Sequence, residues 1–582
     1  MRYLVGFFAA IGVLFVLAIA FSVWVVSNVR TLQPAPQPIP AVAVLAIDLK
    51  SAIAEETGGV ELPLPFLENK ARLRDIVGTI TRAANDGRVK VLMLRMEGGA
   101  AGLAQAQEIS DALQRFRDKN KTVIAWADTL GEGGPANSSY LLTAMATQSW
   151  VQPQGQVGLM GYGSDFLFYR NALERIGVKY EVWKRKEYKS ALDEYVETQI
   201  PAPVRENYES LFGDVMKQLI ERAAAARKLD QAVLRAAIEK GPLLASEALD
   251  AKLIDKIGYR DEAEAAALAE AGAGAKIVEF PAYRAALQQV VPPANATQIA
   301  VIYGVGEINR RSARDFSNTD PVMTPEPLRK AFEEAISNAA IKAIVFRVDS
   351  PGGSPVASET IRRDVLRAKA AGKKVIVSMG NVAASGGYWI AMDADKIVAQ
   401  PGTITGSIGV IGGKPEASGL AKLLNIGIDK ITTTDQPPLS IWRRLTEQQR
   451  QRQEVHLDDT YGAFVQNVAA GRKLAPEKVE AVAKGRVWTG RQAKEIGLVD
   501  ELGGIDVAFK VVRTELGLAA DAPLATRVLP ARRTPGEQIL RMLRGEDSVS
   551  VFEPLGPFLR AYRELTASEG TRTLLYTGPS VD

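Results

Sequence analysis

The chain contains no cysteine. That absence alone excludes disulfides, thiolate metal sites and a cysteine nucleophile in either redox compartment. Histidine is almost missing too, with His456 the single one among 582 residues. A metal site built on two histidines, H-E-x-x-H included, is therefore ruled out, and a Ser-His pair has one candidate base. His456 lies in a strongly polar, helix-like segment, 446–459, and reads as an exposed helix residue rather than a triad member. No block of like charge stands out, and 71 basic against 67 acidic residues leave a net charge of +4. A nucleic-acid partner is not indicated by that balance. No motif calls for a metal or a cofactor.

What is present is the composition of an ordinary globular protein, 47% apolar and 24% charged. The length leaves room for roughly three or four domain-sized units. Residues 3–26 carry no charge and are almost wholly apolar. As a helix they would span roughly 36 Å, enough to cross a bilayer. A cleaved signal peptide would have a shorter apolar core, with Ala18-Ile19-Ala20 as its cleavage site. The apolar run continues past that site through Val23-Trp24-Val25-Val26, which favours an uncleaved transmembrane anchor over residues 1–30. The bulk of the chain is then expected outside the cytoplasm. Residues 31–41 follow as a Pro-rich linker containing TLQPAPQPIP.

The remainder is an internal repeat. The run VAVLAIDL (42–49) resembles IAVIYGVGE (299–307), and VLMLRMEGG (91–99) resembles IVFRVDSPGG (344–353), with Arg95 opposite Arg347. TVIAW (122–126) resembles KVIVS (374–378). A central block keeps an offset of 248: Tyr140 matches Tyr388, Gly158 matches Gly406 and Gly161 matches Gly409. Later, ALDAKLIDKIG (248–258) matches AKEIGLVDELG (493–503). Short apolar strands alternate with helical segments in both copies, which predicts an α/β fold with mostly parallel strands. The expected units are 42–270 and 298–520, joined by a connecting segment, 271–297. The tail, 521–582, is Ala/Pro/Arg-rich at its start and carries no readable chemistry.

Chemistry concentrates in 375–412. A β-branched run, 375–377, predicts a buried strand, and Ser385 then stands just before Gly386-Gly387 and an apolar helix. A serine on a strand-to-helix turn sits at the positive end of a helix, and the glycines let a substrate backbone approach. The plain alternative is that Ser385 is a helix N-cap. The repeat bears on the choice. At the offset of 248, Ser385 falls opposite Asn137 and Ser407 opposite Leu159. The lysine-rich run VWKRKEYKSALDEY (182–195) has as its counterpart ITTTDQPPLS (431–440), which has no lysine, and Lys189 falls opposite Pro437. Each copy has kept one half of a site. A Ser-Lys dyad fits that distribution, with Lys184, Lys186 and Lys189 as candidate bases. A lysine serves as a base only if burial without an anionic partner pushes its pKa toward neutrality. The plain alternative for these lysines is a solvated loop. Finally, DSPGGS (349–354) ends a predicted strand, and Gly353 and Gly386 are candidate oxyanion donors, unless the glycines only make a turn.

Taken together, DSPGGS (349–354), ASGGYWIA (384–391), TGSIGV (405–410), YKSA (188–191) and GRVWTGRQAKEIGLVDELG (485–503) resemble the signal peptide peptidase A, or protease IV, family in its long two-repeat form. The resemblance implies tandem domains of the crotonase/Clp-protease type, spirals of ββα units, behind one transmembrane helix. It implies a membrane-anchored serine endopeptidase in which Ser385 is the nucleophile, Lys189 the general base and Ser407 the hydroxyl that orients the lysine. It further implies a bowl-shaped homotetramer at the inner membrane, with catalytic domains on the periplasmic side, that degrades cleaved signal peptides. Two other readings stand beside it: a crotonase-type acyl-thioester enzyme, and a catalytically silent membrane scaffold.

Overall fold

Aliphatic and β-branched runs such as AVLAIDL (Ala43–Leu49) and the longer IKAIVFRVDS (Ile341–Ser350) become strands buried on both faces, as central strands of a parallel sheet must be. The structure is a computed structural model that describes residues 38–49, 52–56, 71–96, 101–287, 292–310, 321–434 and 437–530. The expected anchor over 3–26, residues 97–99 at the end of the repeated run 91–99, and nearly all of the tail lie outside the described residues. Among the described residues, no helix is long and apolar enough to cross a membrane.

Six parallel strands form the first sheet, in the order Lys256–Ile257, Gln148–Val151, Thr122–Ala127, Val89–Met96, Ala43–Leu49, Lys276–Glu279. Six strands of the second, also parallel, run Glu501–Leu502, Lys396–Ala399, Lys374–Ala384, Ile341–Ser350, Thr297–Val305, Leu524–Leu529. The two orders correspond strand for strand. The outermost strand of each sheet falls where the sequence predicts none: Lys276–Glu279 within the connecting segment, Leu524–Leu529 within the tail. Both are edge strands, only partly buried, so their sequences lack the uninterrupted apolar run of the inner strands.

The strand Lys374–Ala384 is the longest of these and outlasts its neighbours. Its first part pairs with Lys396–Ala399, and its last three residues pair with Ile404–Gly406. This extension carries the chain out of the sheet toward Ser385. The halves are joined by an antiparallel ribbon. Lys179–Arg185 of the first half pairs with Val410–Glu416 of the second, from Val410 opposite Arg185 to Glu416 opposite Lys179. Below the ribbon, the helix Ala202–Arg227 of the first half ties its Asn207 amide to both backbone groups of Val487, at 2.9 and 3.0 Å. Deeper still, Arg347 of the second half is buried against Glu55 and Glu108 of the first, at 2.9 and 3.1 Å. Its guanidinium also donates to Ser378 Oγ at 2.9 Å.

Candidate active site

Ser385 ends the extended strand in a conformation that side chains rarely adopt, φ 54° and ψ −118°. Such a turn is costly for a non-glycine residue and is found where its side chain must be presented in one direction. The backbone is pinned there by a bond from Ser385 N to the Gly406 carbonyl, 2.9 Å. The next four residues, Gly386–Trp389, make a short helix, but the Ser385 hydroxyl does not cap it. Gly387 is required by close approach, since a β-carbon there would stand 2.4 Å from the Ser350 carbonyl oxygen. On the opposite side the hydroxyl meets Lys189, whose Nζ donates to Ser385 Oγ at 3.0 Å.

Lys189 arrives from the first half by way of the ribbon. After Arg185 the chain turns, Tyr188 N donates to the Lys484 carbonyl, and Gly485 packs so tightly that a β-carbon on it would lie 2.6 Å from Lys189 N. Besides Ser385, Nζ donates to Ser407 Oγ at 3.0 Å and to the Ser407 carbonyl at 3.1 Å. All three acceptors are neutral. The side chain is 2% exposed, and burial lowers its pKa from 10.5 to about 7. The two neighbouring lysines differ in the respect that matters. Lys184 is paired with Asp193, and Lys186 lies 2.9 Å from Glu480, so each faces a carboxylate where Lys189 faces neutral oxygens. Of the three candidate bases, the structure brings Lys189 to the serine and sends the others to carboxylates.

Ser407 also has a positive φ, 50°, and its N–H donates to the Arg486 carbonyl at 2.7 Å. Two glycines with positive φ, Gly352 and Gly353, close the opposite wall. A β-carbon on Gly386 would stand 3.1 Å from Gly353 N, and one on Gly352 would stand 2.7 Å from Gly386 N and 2.9 Å from Ser385 Cβ. The Gly353 and Gly386 amides thus flank Ser385, and neither donates to another described residue. Asp349 stands behind this loop, where burial raises its carboxyl. Its Oδ1 accepts from Val382 N at 2.9 Å and braces the serine strand.

The corresponding place in the first half is filled differently. The Asn137 amide bonds both backbone groups of Met160, each at 3.0 Å, and Leu159 is wholly buried. Asn137 therefore closes the loop that Ser385 leaves open. His456 is exposed on the helix Glu447–Arg472. Among the described residues, no cluster of three His, Cys, Asp or Glu side chains could hold a metal ion. Sequence reasoning missed Gly485 and Arg486, which shape the wall behind Lys189. A glycine before Arg486 in KGR was visible, but nothing local shows that its missing side chain makes room for a lysine 296 positions earlier.

Comparison with known proteins bears on this arrangement. The model of peptidase family S49 matches residues 115–274 and 367–519. The first segment holds Lys189, and the second holds Ser385 and Ser407. The chain belongs to peptidase family S49. Its relatives include Protease 4 of Salmonella typhi, 32% identical over 446 residues, which span 75% of this chain and 71% of the relative. Protease 4 of Haemophilus influenzae is 30% identical over 77% of this chain and 74% of its own length. The chloroplastic serine protease SPPA of Arabidopsis thaliana is 27% identical over 84% and 72%. Among solved structures, ClpP1 from Listeria monocytogenes matches 35% of this chain and 89% of its own, at 18% identity and a TM-score of 0.22. That superposition is too loose to add to the strand orders above. The S49 chain is thus a protease with an α/β fold.

Proposed function

We propose that this S49 protease is a serine endopeptidase working through a Ser385-Lys189 dyad, and that its substrates are cleaved signal peptides. The observation that carries the reading is the Lys189 amine, buried among three neutral oxygens with no carboxylate beside it. A neutral amine there accepts the Ser385 proton as Oγ attacks the scissile carbonyl, then returns it to the departing amine. The acyl-enzyme is released by water activated in the same way. Ser407 holds Nζ in line, and the Gly353 and Gly386 amides receive the developing oxyanion. An extended apolar peptide suits a site beneath strand edges and glycine-rich backbone. Residues 3–26 would anchor the chain at the inner membrane with the site on the periplasmic side, where such remnants leave the bilayer.

The test uses the full chain in detergent, treated with a fluorophosphonate and read by intact mass. Wild type should gain one adduct, Ser385→Ala none, and Lys189→Ala should react roughly 10²–10⁴ times more slowly. An adduct that survives in Ser385→Ala, or no adduct on a folded wild type, rejects the dyad. Synthetic signal peptides should then be cut in preference to polar peptides of equal length. Equal rates on both would reject the substrate assignment and leave the dyad standing.

A further inference from the structure

The strand that leads to Ser385 is interrupted once on its way. Val348 faces Met379 and Ser350 faces Ala383, so one residue, Asp349, stands opposite three, Gly380, Asn381 and Val382. Such a bulge bends a strand and breaks its ladder of backbone bonds. Before it, residues 376–378 pair with 396–398; after it, residues 382–384 pair with 404–406. The bulge is the point at which the strand leaves one neighbour for the next and sets out toward Ser385.

Asp349 fills the gap with its side chain. Its Oδ1 accepts from Val382 N at 2.9 Å, and the Asn381 N–H bonds the same carboxyl. Its own backbone carbonyl is engaged elsewhere, accepting from Gly306 N at 2.9 Å. Gly380 has to be glycine here, because a β-carbon on it would stand 2.8 Å from Asp349 Cβ and Cγ. The bulge is also held from outside. Thr403 Oγ1 donates to the Gly380 carbonyl at 2.8 Å. Asn381 reaches the other half, where its Oδ1 accepts from Gln105 N at 3.2 Å.

We propose that Asp349 is a positioning residue for the Ser385 hydroxyl: its carboxyl fixes the bulge, and the bulge fixes the angle at which Ser385 is presented. Asp349 contacts no reacting atom and acts through the backbone of 380–385. The strained φ of Ser385, 54°, persists only where the surroundings over-determine it. The Asp349 carboxyl restrains one end of that segment, and the bond from Ser385 N to the Gly406 carbonyl restrains the other. The strand that supplies Asp349, Ile341–Ser350, also runs on into Gly352 and Gly353. One side chain therefore sets the nucleophile and the proposed oxyanion donors relative to each other. The inference rests on the reading of Ser385 as the nucleophile.

The test treats the full chain in detergent with the fluorophosphonate over a range of concentrations, which separates the half-saturating concentration from the maximal rate of phosphonylation. Asp349→Ala should lower the maximal rate roughly 10²-fold, the scale of a 1 Å misplacement, and leave the half-saturating concentration within about twofold of wild type. Asp349→Asn keeps an oxygen that can accept from Val382 N and should recover about tenfold of the loss. Amide exchange over 379–386 should quicken in Asp349→Ala and return toward wild type in Asp349→Asn. Three outcomes would overturn the inference: an unchanged maximal rate in Asp349→Ala, a loss carried by the half-saturating concentration instead, or an Asp349→Asn variant no faster than Asp349→Ala. Should Asp349→Ala not fold, Gly380→Ala presses a β-carbon onto the same carboxyl and should also lower the maximal rate; a wild-type rate in it would overturn the inference equally. The two readings fail differently. A wild type that takes no adduct rejects the dyad, and the role of Asp349 with it. An adduct that forms equally fast on wild type and on Asp349→Ala rejects the role of Asp349 alone.

Discussion

Lys189 does two opposed things. In the proposed dyad its burial makes it a usable base, and the same burial disfavours the charged form that an unfolded chain would keep. The folded pKa is about 7 against 10.5 for an ordinary lysine. Peptidase activity should therefore rise with unit slope below about pH 7 and level off above it, as the amine loses its proton. A profile flat from pH 5 to pH 9, each end being an experimental choice of about two units around that value, would exclude Lys189 as the base. The stability consequence has the same sign. Between about 7 and 10.5 the unfolded chain holds a proton that the folded chain lacks, so stability rises with pH across that window. Lys189→Met has no charge to desolvate. It should melt above wild type at acid pH, and the difference should close toward 10.5. Calorimetry at several pH values reads this directly, and a constant difference would mean that the lysine is not buried neutral.

The ribbon Lys179–Arg185 with Val410–Glu416 is the element that makes the site possible, because it fixes where Lys189 leaves the first half. Its end is held by Gly485, which has φ +84° and whose missing side chain makes room for the Lys189 backbone. Gly485→Ala should displace that backbone and slow phosphonylation by roughly 10²-fold, the scale of a 1 Å misplacement, without unfolding the sheets. Gly462→Ala, within the helix Glu447–Arg472 where a β-carbon meets nothing within 4 Å, should leave the rate unchanged. It should stabilise by about 0.5–1 kcal/mol. A rate loss shared by both variants would point to general sensitivity rather than to the wall behind the base.

At the scale of the molecule, the site exists only while the halves stay in register. Arg347 is the deepest tie, buried against Glu55 and Glu108 from the other half. Removing one partner of such a cluster leaves buried charge uncompensated, and Arg347→Ala should cost about 3–5 kcal/mol. The urea midpoint of the full chain measures it. Exposed pairs such as Arg329–Glu326 should contribute little in the same assay. A loss confined to a few tenths of a kcal/mol would show that the ribbon and the Asn207–Val487 bonds suffice.

Much of this was legible in the chain itself. The strands at 43–49 and 344–348 were visible because strands buried on both faces must be apolar without interruption, and the repeat was visible because both halves obey the same constraint. Ser385 and Lys189 stood out as hydroxyl and amine each lost from the other copy, a pattern that self-comparison detects without coordinates. The edge strands Lys276–Glu279 and Leu524–Leu529 did not show, since half-exposed strands have no distinctive apolar run. Nor could local pattern choose among Lys184, Lys186 and Lys189, three lysines in one short run. The family resemblance points to Lys189, and the tertiary structure supplies the physical difference, giving two of the lysines carboxylates and the third neutral oxygens. A lysine's pKa depends on what surrounds its amine in space, and that environment is assembled from residues about 200 positions away.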